Sequence, residues 1–405
     1  MTTLLPAAGR PTIPRLPALD GIRIVAATAV VLQHVGYSSG ATTGKSYGGW
    51  LSAMDFAVAL FFVLSGFVLF QPWARAAVRG GSRPTTGRFL FRRYARILPG
   101  YWVAVTACLI VLPTTGVAPL GDWLRQFSLS QIYTFEAIRR GLGQTWTLCV
   151  EASFYPVLIV LGALVIGRRG TWRPNRSAVR IALLAVAVTG TWVALLATGV
   201  LKLYLHILWL PAYLLWFGAG MVLCTAYVAL STGTAPRSWQ VLQRLAAAPL
   251  ACWGVALGLL AVATTPVVGP RGLAAPTAGQ FAAQLLLYLV IAVMVLVPLV
   301  FGPPTTARTV VGSRPMRWLG TLSYSLFLWH PFVLEMVYEV TGYEIFKGHL
   351  LEVFALTMAG GLTLAVLSYY LVERPLIRIA SDFPRGRRPS TVETQSAPSP
   401  ATATA

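Results

Sequence analysis

Charge is scarce in this chain. Asp, Glu, Lys and Arg together make up 11% of 405 residues, and only 12 residues are acidic against 32 that are basic. With 56% apolar residues and a mean hydropathy of +0.68, this excludes an ordinary soluble globular domain and describes a polytopic membrane protein. The net charge of +20 does not point to nucleic acid. The basic residues lie in short segments between hydrophobic runs, where bilayer topology puts them. Cysteine is sparse too. Cys108, Cys149, Cys224 and Cys252 fall in or near hydrophobic runs and no pair has metal-ligand spacing, so neither a disulfide framework nor a metal site is expected. A cleavable signal peptide is also not expected: the first 19 residues hold Arg10, Arg15 and four prolines but no long apolar run. No internal repeat of the transporter kind is visible.

What the chain has is hydrophobic runs of bilayer-spanning length, about 20 residues each. Ten are expected, near 22–39, 52–72, 97–113, 145–167, 179–199, 203–229, 249–267, 280–301, 317–339 and 350–372. The fold class is therefore an all-α transmembrane helix bundle. With the N-terminus cytoplasmic, the inside segments hold 24 Lys and Arg and the outside segments 7, with Arg23 at the inner edge of the first run. That asymmetry predicts both termini inside. Residues 1–15 form a cytoplasmic segment, 16–380 the membrane domain, and 381–405 a disordered tail rich in Ser, Thr, Ala and Pro. The longest outside loop, about 114–144, carries Trp123, Tyr133 and Phe135 and is expected to lie partly on the membrane surface.

Two ionisable residues stand in the first run. His34 follows Arg23 by eleven positions, which on a helix is roughly 16 Å. Intramembrane ionisable groups are costly and point to function by default. Given its direction, the first run puts His34 in the outer half of the membrane. The fourth run starts outside near Gln144 and puts Glu151 at a similar depth. The two are expected to form a dyad in which the carboxylate fixes the imidazole tautomer and the free ring nitrogen takes a proton. Two separately satisfied polar residues are the plainer reading.

Other polar positions are less specific. Arg92, Arg93 and Arg96 exceed what topology requires, and guanidinium suits phosphate, although positive-inside charge and lipid head groups explain part of them. In the second run Gly66 suits either a close helix approach or a narrow channel, and Ser65 a bond between helices. In the ninth run Tyr324, Ser325 and His330 are candidates to line a substrate or to hold the packing, with His330 leaning to structure and Pro331 perturbing the helix. His206 and His349 lie near the outer interface. Glu335, five positions after His330, faintly resembles the His-x4-Asp of glycerolipid acyltransferases, but the partner motifs of that family are missing.

Six stretches, in order, resemble the acyltransferase-3 family of polytopic bacterial membrane O-acyltransferases. They are Leu19-Asp20-Gly21-Ile22-Arg23 leading to His34, Phe61 to Phe67, Arg92-Arg93-Tyr94-Ala95-Arg96-Ile97-Leu98-Pro99, Trp146 to Glu151, Ser323-Tyr324-Ser325 through His330-Pro331, and Glu373-Arg374-Pro375. Each alone is weak; together they span about residues 16–378. The resemblance implies transfer of an acyl group, often acetyl from a coenzyme A thioester, onto a hydroxyl of a sugar, glycolipid or polyketide. It implies His34 and Glu151 as catalytic residues. It also implies that Arg23, Arg92, Arg93, Arg96, Ser65 and Gly66 bind acyl-CoA. Asp20 is a candidate to line the substrate or to hold the structure, for example as a partner of Arg23 at the inner edge. No permanently bound cofactor is implied, and no fused hydrolase-like domain is expected.

On this reading the protein is an inner-membrane enzyme of a bacterium. It would take cytosolic acyl-CoA and acylate an envelope glycan or glycolipid. The alternatives are a small hydrophobic acceptor such as a macrolide and, from another class, a proton-coupled transporter or flippase with His34 and Glu151 as its relay. An acyl group carried transiently by His34 or Cys149 is a variant mechanism, disfavoured at Cys149 because apolar burial raises a thiol pKa.

Overall fold

The computed structural model describes residues 13–79, 84–112, 119–134, 139–166, 172–272 and 274–382, and there is no β-strand among them. The expected tail lies almost wholly outside the described residues, as does Phe135.

The main helices are α1 (Pro17–Ser38), α2 (Phe56–Val78), α3 (Thr86–Val111), α4 (Leu120–Phe127), α5 (Trp146–Ile166), α6 (Pro174–Ala197) and α7 (Leu210–Ser231). They continue with α8 (Gln240–Ala246), α9 (Pro249–Val262), α10 (Ala278–Phe301), α11 (Arg314–Thr341), α12 (Leu350–Ser368) and α13 (Arg374–Asp382). Proline opens several of them. Pro17, Pro174 and Pro249 stand at the start of their helices, where no intrahelical N–H is needed.

Eight of the described helical segments are long and apolar enough to cross a bilayer, and a bent pair would make nine. Two of the ten expected runs therefore differ. Run 249–267 yields only the 14 residues of α9, about 21 Å, bent 80° from the segment Arg237–Ala246 that precedes it. Run 317–339 becomes α11. Its 28 residues reach about 42 Å, ample for a bilayer, but Arg314, Arg317, Glu335 and Glu339 dilute its hydropathy.

The core runs along α2, which packs on α7, while α7 packs on α6. Phe217 is its pivot, stacked on Phe62 at 4.6 Å and on Phe154 at 4.1 Å between ring centres. Two glycines let the α2 and α7 backbones meet. A Cβ at Gly66 would overlap the carbonyl of Phe217, and one at Gly220 the carbonyl of Val63. Of the two readings open for Gly66, the close approach is the one found. Gly66 faces α7 and lines neither cavity described below.

A second layer is formed by α1 on α11 and α11 on α12. The chain then closes through a π-helical turn, Tyr369–Glu373, a distortion that often marks special sites. It turns the buried Glu373 inward, where Ser325 Oγ donates to Oε1 at 2.6 Å and Ser368 Oγ at 2.9 Å. Ser325 is thus a clamp between α11 and the chain end.

The helix α4 realises part of the expected surface loop. Leu120 and Leu124 are exposed while Asp122 is buried and paired with Arg125 and Arg139, as suits a helix lying on the membrane.

Candidate active site

Two adjoining cavities lie along α1, one holding Arg23 and the other His34. Val58, Thr147 and Phe327 line both and form the partition.

The larger cavity has a volume of about 110 Å³. Arg23 from α1, Arg93 and Arg96 from α3, and Glu151 and Tyr155 from α5 line it, with Ser65 from α2 and Tyr324 from α11. Arg93 and Arg96 are three apart on one helix and so share a face. Three guanidinium groups against one carboxylate leave the lining with a formal charge of +2. Among the described residues, none of the three arginines makes a side-chain ion pair or hydrogen bond. Arg93 only lies over the Phe89 ring, 5.6 Å from its centre. Glu151 is held instead by neutral donors: Ser65 Oγ at 3.0 Å and Tyr155 OH at 3.3 Å, both to Oε1. Tyr324 OH donates to the carbonyl of Ile97 at 2.6 Å, fixing α11 to α3 at the cavity wall. Arg23 and Arg93 are half-buried and Arg96 is exposed, and a site with this excess of positive charge favours an anion, whose phosphate or carboxylate matches guanidinium geometry.

Arg92 does not join them. Its guanidinium turns to the end of α13 and donates to the carbonyls of Ala380 at 3.4 Å and Ser381 at 3.0 Å. Successive helix positions are about 100° apart, so Arg92 and Arg93 cannot point at one cavity. Cations suit a helix C-terminus, and Arg92 caps one here. Asp20 differs as well: it pairs with Arg15 at 3.3 Å, on an exposed surface, rather than with Arg23.

The smaller cavity, about 30 Å³, holds His34, Asp55, Gln33 and Gln144. The partner of His34 is not Glu151. His34 Nδ1 lies 2.9 Å from His330 Nε2, and His330 Nδ1 lies 3.1 Å from the carbonyl of Leu326. The proton positions follow from the chemistry of each group. A carbonyl only accepts, so His330 Nδ1 carries a hydrogen. In a neutral ring its Nε2 is then a lone pair, and His34 Nδ1 must donate to it. That leaves His34 Nε2 unprotonated and free to take a proton. Where a carboxylate was expected beside His34, the structure has an imidazole. Pro331 follows His330 directly; lacking an N–H, it frees the carbonyl of Phe327 one turn back.

The sequence of residues 16–371 matches the acyltransferase-3 family, described as an acyltransferase domain. The chain belongs to the acyltransferase-3 family. It is similar to the peptidoglycan O-acetyltransferase OatA of Listeria monocytogenes, with 21% identity over 382 residues, which is 89% of this chain and 56% of that protein. The putative peptidoglycan O-acetyltransferase YrhL of Bacillus subtilis is 23% identical over 383 residues, 89% of this chain and 55% of its own. The exopolysaccharide production protein ExoZ of Rhizobium meliloti is 27% identical over 329 residues, 79% of this chain and 89% of its own. The chain thus spans about half the length of the two peptidoglycan O-acetyltransferases it matches. No solved structure matches it.

Within this acyltransferase-3 chain the structure adds residues that sequence reading passed over. Asp55 was legible as an acid inside an apolar run, the same signal that singles out His34. Gln144 carried no such signal, being an uncharged residue at a helix start. Tyr155 stands one turn after Glu151, a spacing that sequence does show. Glu335 proves structural: its Oε2 accepts from Arg140 at 2.6 Å, beside Glu339 at 2.9 Å. His349 stacks on Tyr343 and His206 packs on Trp209, both away from the two cavities. Among the described residues no group of His, Cys, Asp and Glu could hold a metal.

Proposed function

We propose that this protein is a membrane O-acyltransferase that moves an acyl group, acetyl in the simplest case, from cytosolic acyl-CoA to a hydroxyl of a cell-envelope glycan or glycolipid. The observation that carries this reading is the pair of adjoining cavities. One has three unpaired arginines for an anionic donor, and the other holds a histidine whose free nitrogen is positioned to accept a proton. The proposed topology is N-terminus and C-terminus both cytoplasmic in a bacterial inner membrane, which places Arg23, Arg93 and Arg96 nearer the coenzyme A supply. The names of the relatives, one a peptidoglycan O-acetyltransferase and one a putative peptidoglycan O-acetyltransferase, support a glycan acceptor.

In the transfer step His34 Nε2 removes the proton of the acceptor hydroxyl, and its oxygen attacks the thioester carbonyl. The tetrahedral intermediate collapses, the C–S bond breaks, and the imidazolium returns its proton to the departing sulfur. The products are an O-acyl ester and free thiol. Phosphates of the donor bind the arginine cavity, and the acyl end reaches across the partition of Val58, Thr147 and Phe327. Glu151 serves as a counter-charge among the arginines and as the anchor for Ser65 and Tyr155.

Binding of acetyl-CoA to the purified protein, followed by calorimetry, tests the donor half. Saturable binding that weakens at least about tenfold on Arg93→Ala or Arg96→Ala supports it, since each such variant removes charge-assisted hydrogen bonds to phosphate. Binding indifferent to both arginines contradicts it. Activity that follows a proton gradient without consuming a thioester would instead mark a transporter.

A further inference from the structure

We propose that the smaller cavity recognises a second hydroxyl beside the one that reacts, so that the acceptor presents neighbouring hydroxyls as a sugar or other polyol does. The proposal rests on the O-acyl transfer reading and adds to it how the acceptor is chosen.

Gln144 is the decisive residue. Its side chain is only 2% exposed. Its Nε2 donates to the carbonyl of Leu328 at 3.1 Å and to that of Gly141 at 3.4 Å. Both partners can only accept, which fixes the amide with its nitrogen on their side and its oxygen on the other. That oxygen is buried and has no hydrogen-bond partner among the described residues. Buried acceptors are rarely left without a donor. Gln144 lines the smaller cavity, so a donor entering that space is placed to satisfy it.

Two more acceptors line the same cavity. The free Nε2 of His34 is one. The carboxylate of Asp55 is the other; its one described hydrogen bond is a long one, from Gln284 Nε2 at 3.5 Å. An imidazole nitrogen, an amide oxygen and a carboxylate call for a ligand that brings several hydroxyl hydrogens. A lone hydroxyl on an apolar skeleton would engage His34 and leave Gln144 and Asp55 facing carbon. A volume of about 30 Å³ admits a hydroxyl-bearing edge rather than a whole ring. The body of the acceptor therefore stays outside while a pair of hydroxyls enters.

The test uses a matched pair that differs by one hydroxyl, trans-1,2-cyclohexanediol and cyclohexanol. Their binding to the full-length purified protein, with no acyl donor present, is read by saturation-transfer NMR. The wild type should favour the diol by at least about tenfold, because a site built to bond a hydroxyl rejects the analogue that lacks it. In Gln144→Met, which keeps the volume and removes the oxygen, that ratio should fall towards unity. Asp55→Asn keeps the shape and swaps an acceptor for a donor; it should also lower the ratio, and it carries the test should Gln144→Met not fold. A wild type that does not distinguish the two compounds, or a preference that survives intact in the folded variants, overturns the proposal. Acetyl transfer from acetyl-CoA, measured separately, reads the O-acyl transfer proposal alone. The subsite therefore stands or falls on the diol preference, whether or not transfer is seen.

Discussion

His34 and His330 meet at 2.9 Å, Nδ1 to Nε2, across 296 residues of sequence. The carbonyl of Leu326 fixes the far end of this pair, so the direction of each hydrogen bond is determined and the near end is left as a base. In the proposed transfer step His330 would act through His34, as a positioning residue. Replacing His330 with Ala should lower kcat by roughly 10²-fold or more, the size of a lost tautomer or orientation, with little change in donor KM. The pH dependence of kcat/KM should move with it, since the imidazole that titrates has lost its partner. A variant that only loosened packing would lower the amount of active enzyme without moving that profile.

Glu151 gives the opposite expectation. It is held by Ser65 and Tyr155, not by His34. Glu151→Gln keeps an oxygen for both donors but removes the negative charge from beside three arginines. The pH profile of kcat/KM should stay where the wild type has it, and donor KM should stay level or fall as the cavity becomes more positive. A profile displaced as in His330→Ala would restore the carboxylate as the partner of His34.

The arginines divide by direction. Arg93→Ala and Arg96→Ala should raise donor KM by about tenfold or more, whereas Arg92→Ala should change it by less than about threefold. Arg92 caps α13, and loss of its contacts should appear instead as a thermal midpoint lowered by a few degrees. Steady-state kinetics with varied acetyl-CoA, beside a melting curve, separates the two effects.

Gly66 should behave as a packing residue. A methyl group at this position meets the Phe217 carbonyl, so Gly66→Ala forces α2 away from α7 at a cost of about 1–3 kcal/mol. The expected result is a lower melting point with donor affinity intact in the folded fraction. Loss of donor binding at unchanged stability would put Gly66 back beside the ligand.

Much of this was legible before the structure. Hydrophobic runs showed an all-helical membrane bundle, and the high cost of a buried charge singled out Arg23, His34 and Glu151. The six ordered stretches showed the family. What sequence does not encode locally is rotation. Depth put His34 and Glu151 at one level, but their facing decided that each found a different partner. The same limit divides Arg92 from Arg93, adjacent in sequence and about 100° apart on the helix. Span number turns on two helices, α9, which is short and bent from the segment before it, and α11, which is long but less apolar. His330 was legible as a buried histidine, but its partner lies on the far side of the chain. Gln144 was invisible because its meaning lies in which of its atoms is left over.

His34 is proposed as the base in an acyl transfer from coenzyme A. Detergent-purified wild type and His34→Ala are incubated with acetyl-CoA, with and without a membrane-lipid extract, and free thiol is followed. The predicted result is release that requires both His34 and the extract, with His34→Ala folded and still binding acetyl-CoA. Release at the wild-type rate in His34→Ala, or no release from any short acyl-CoA in the wild type, would contradict it.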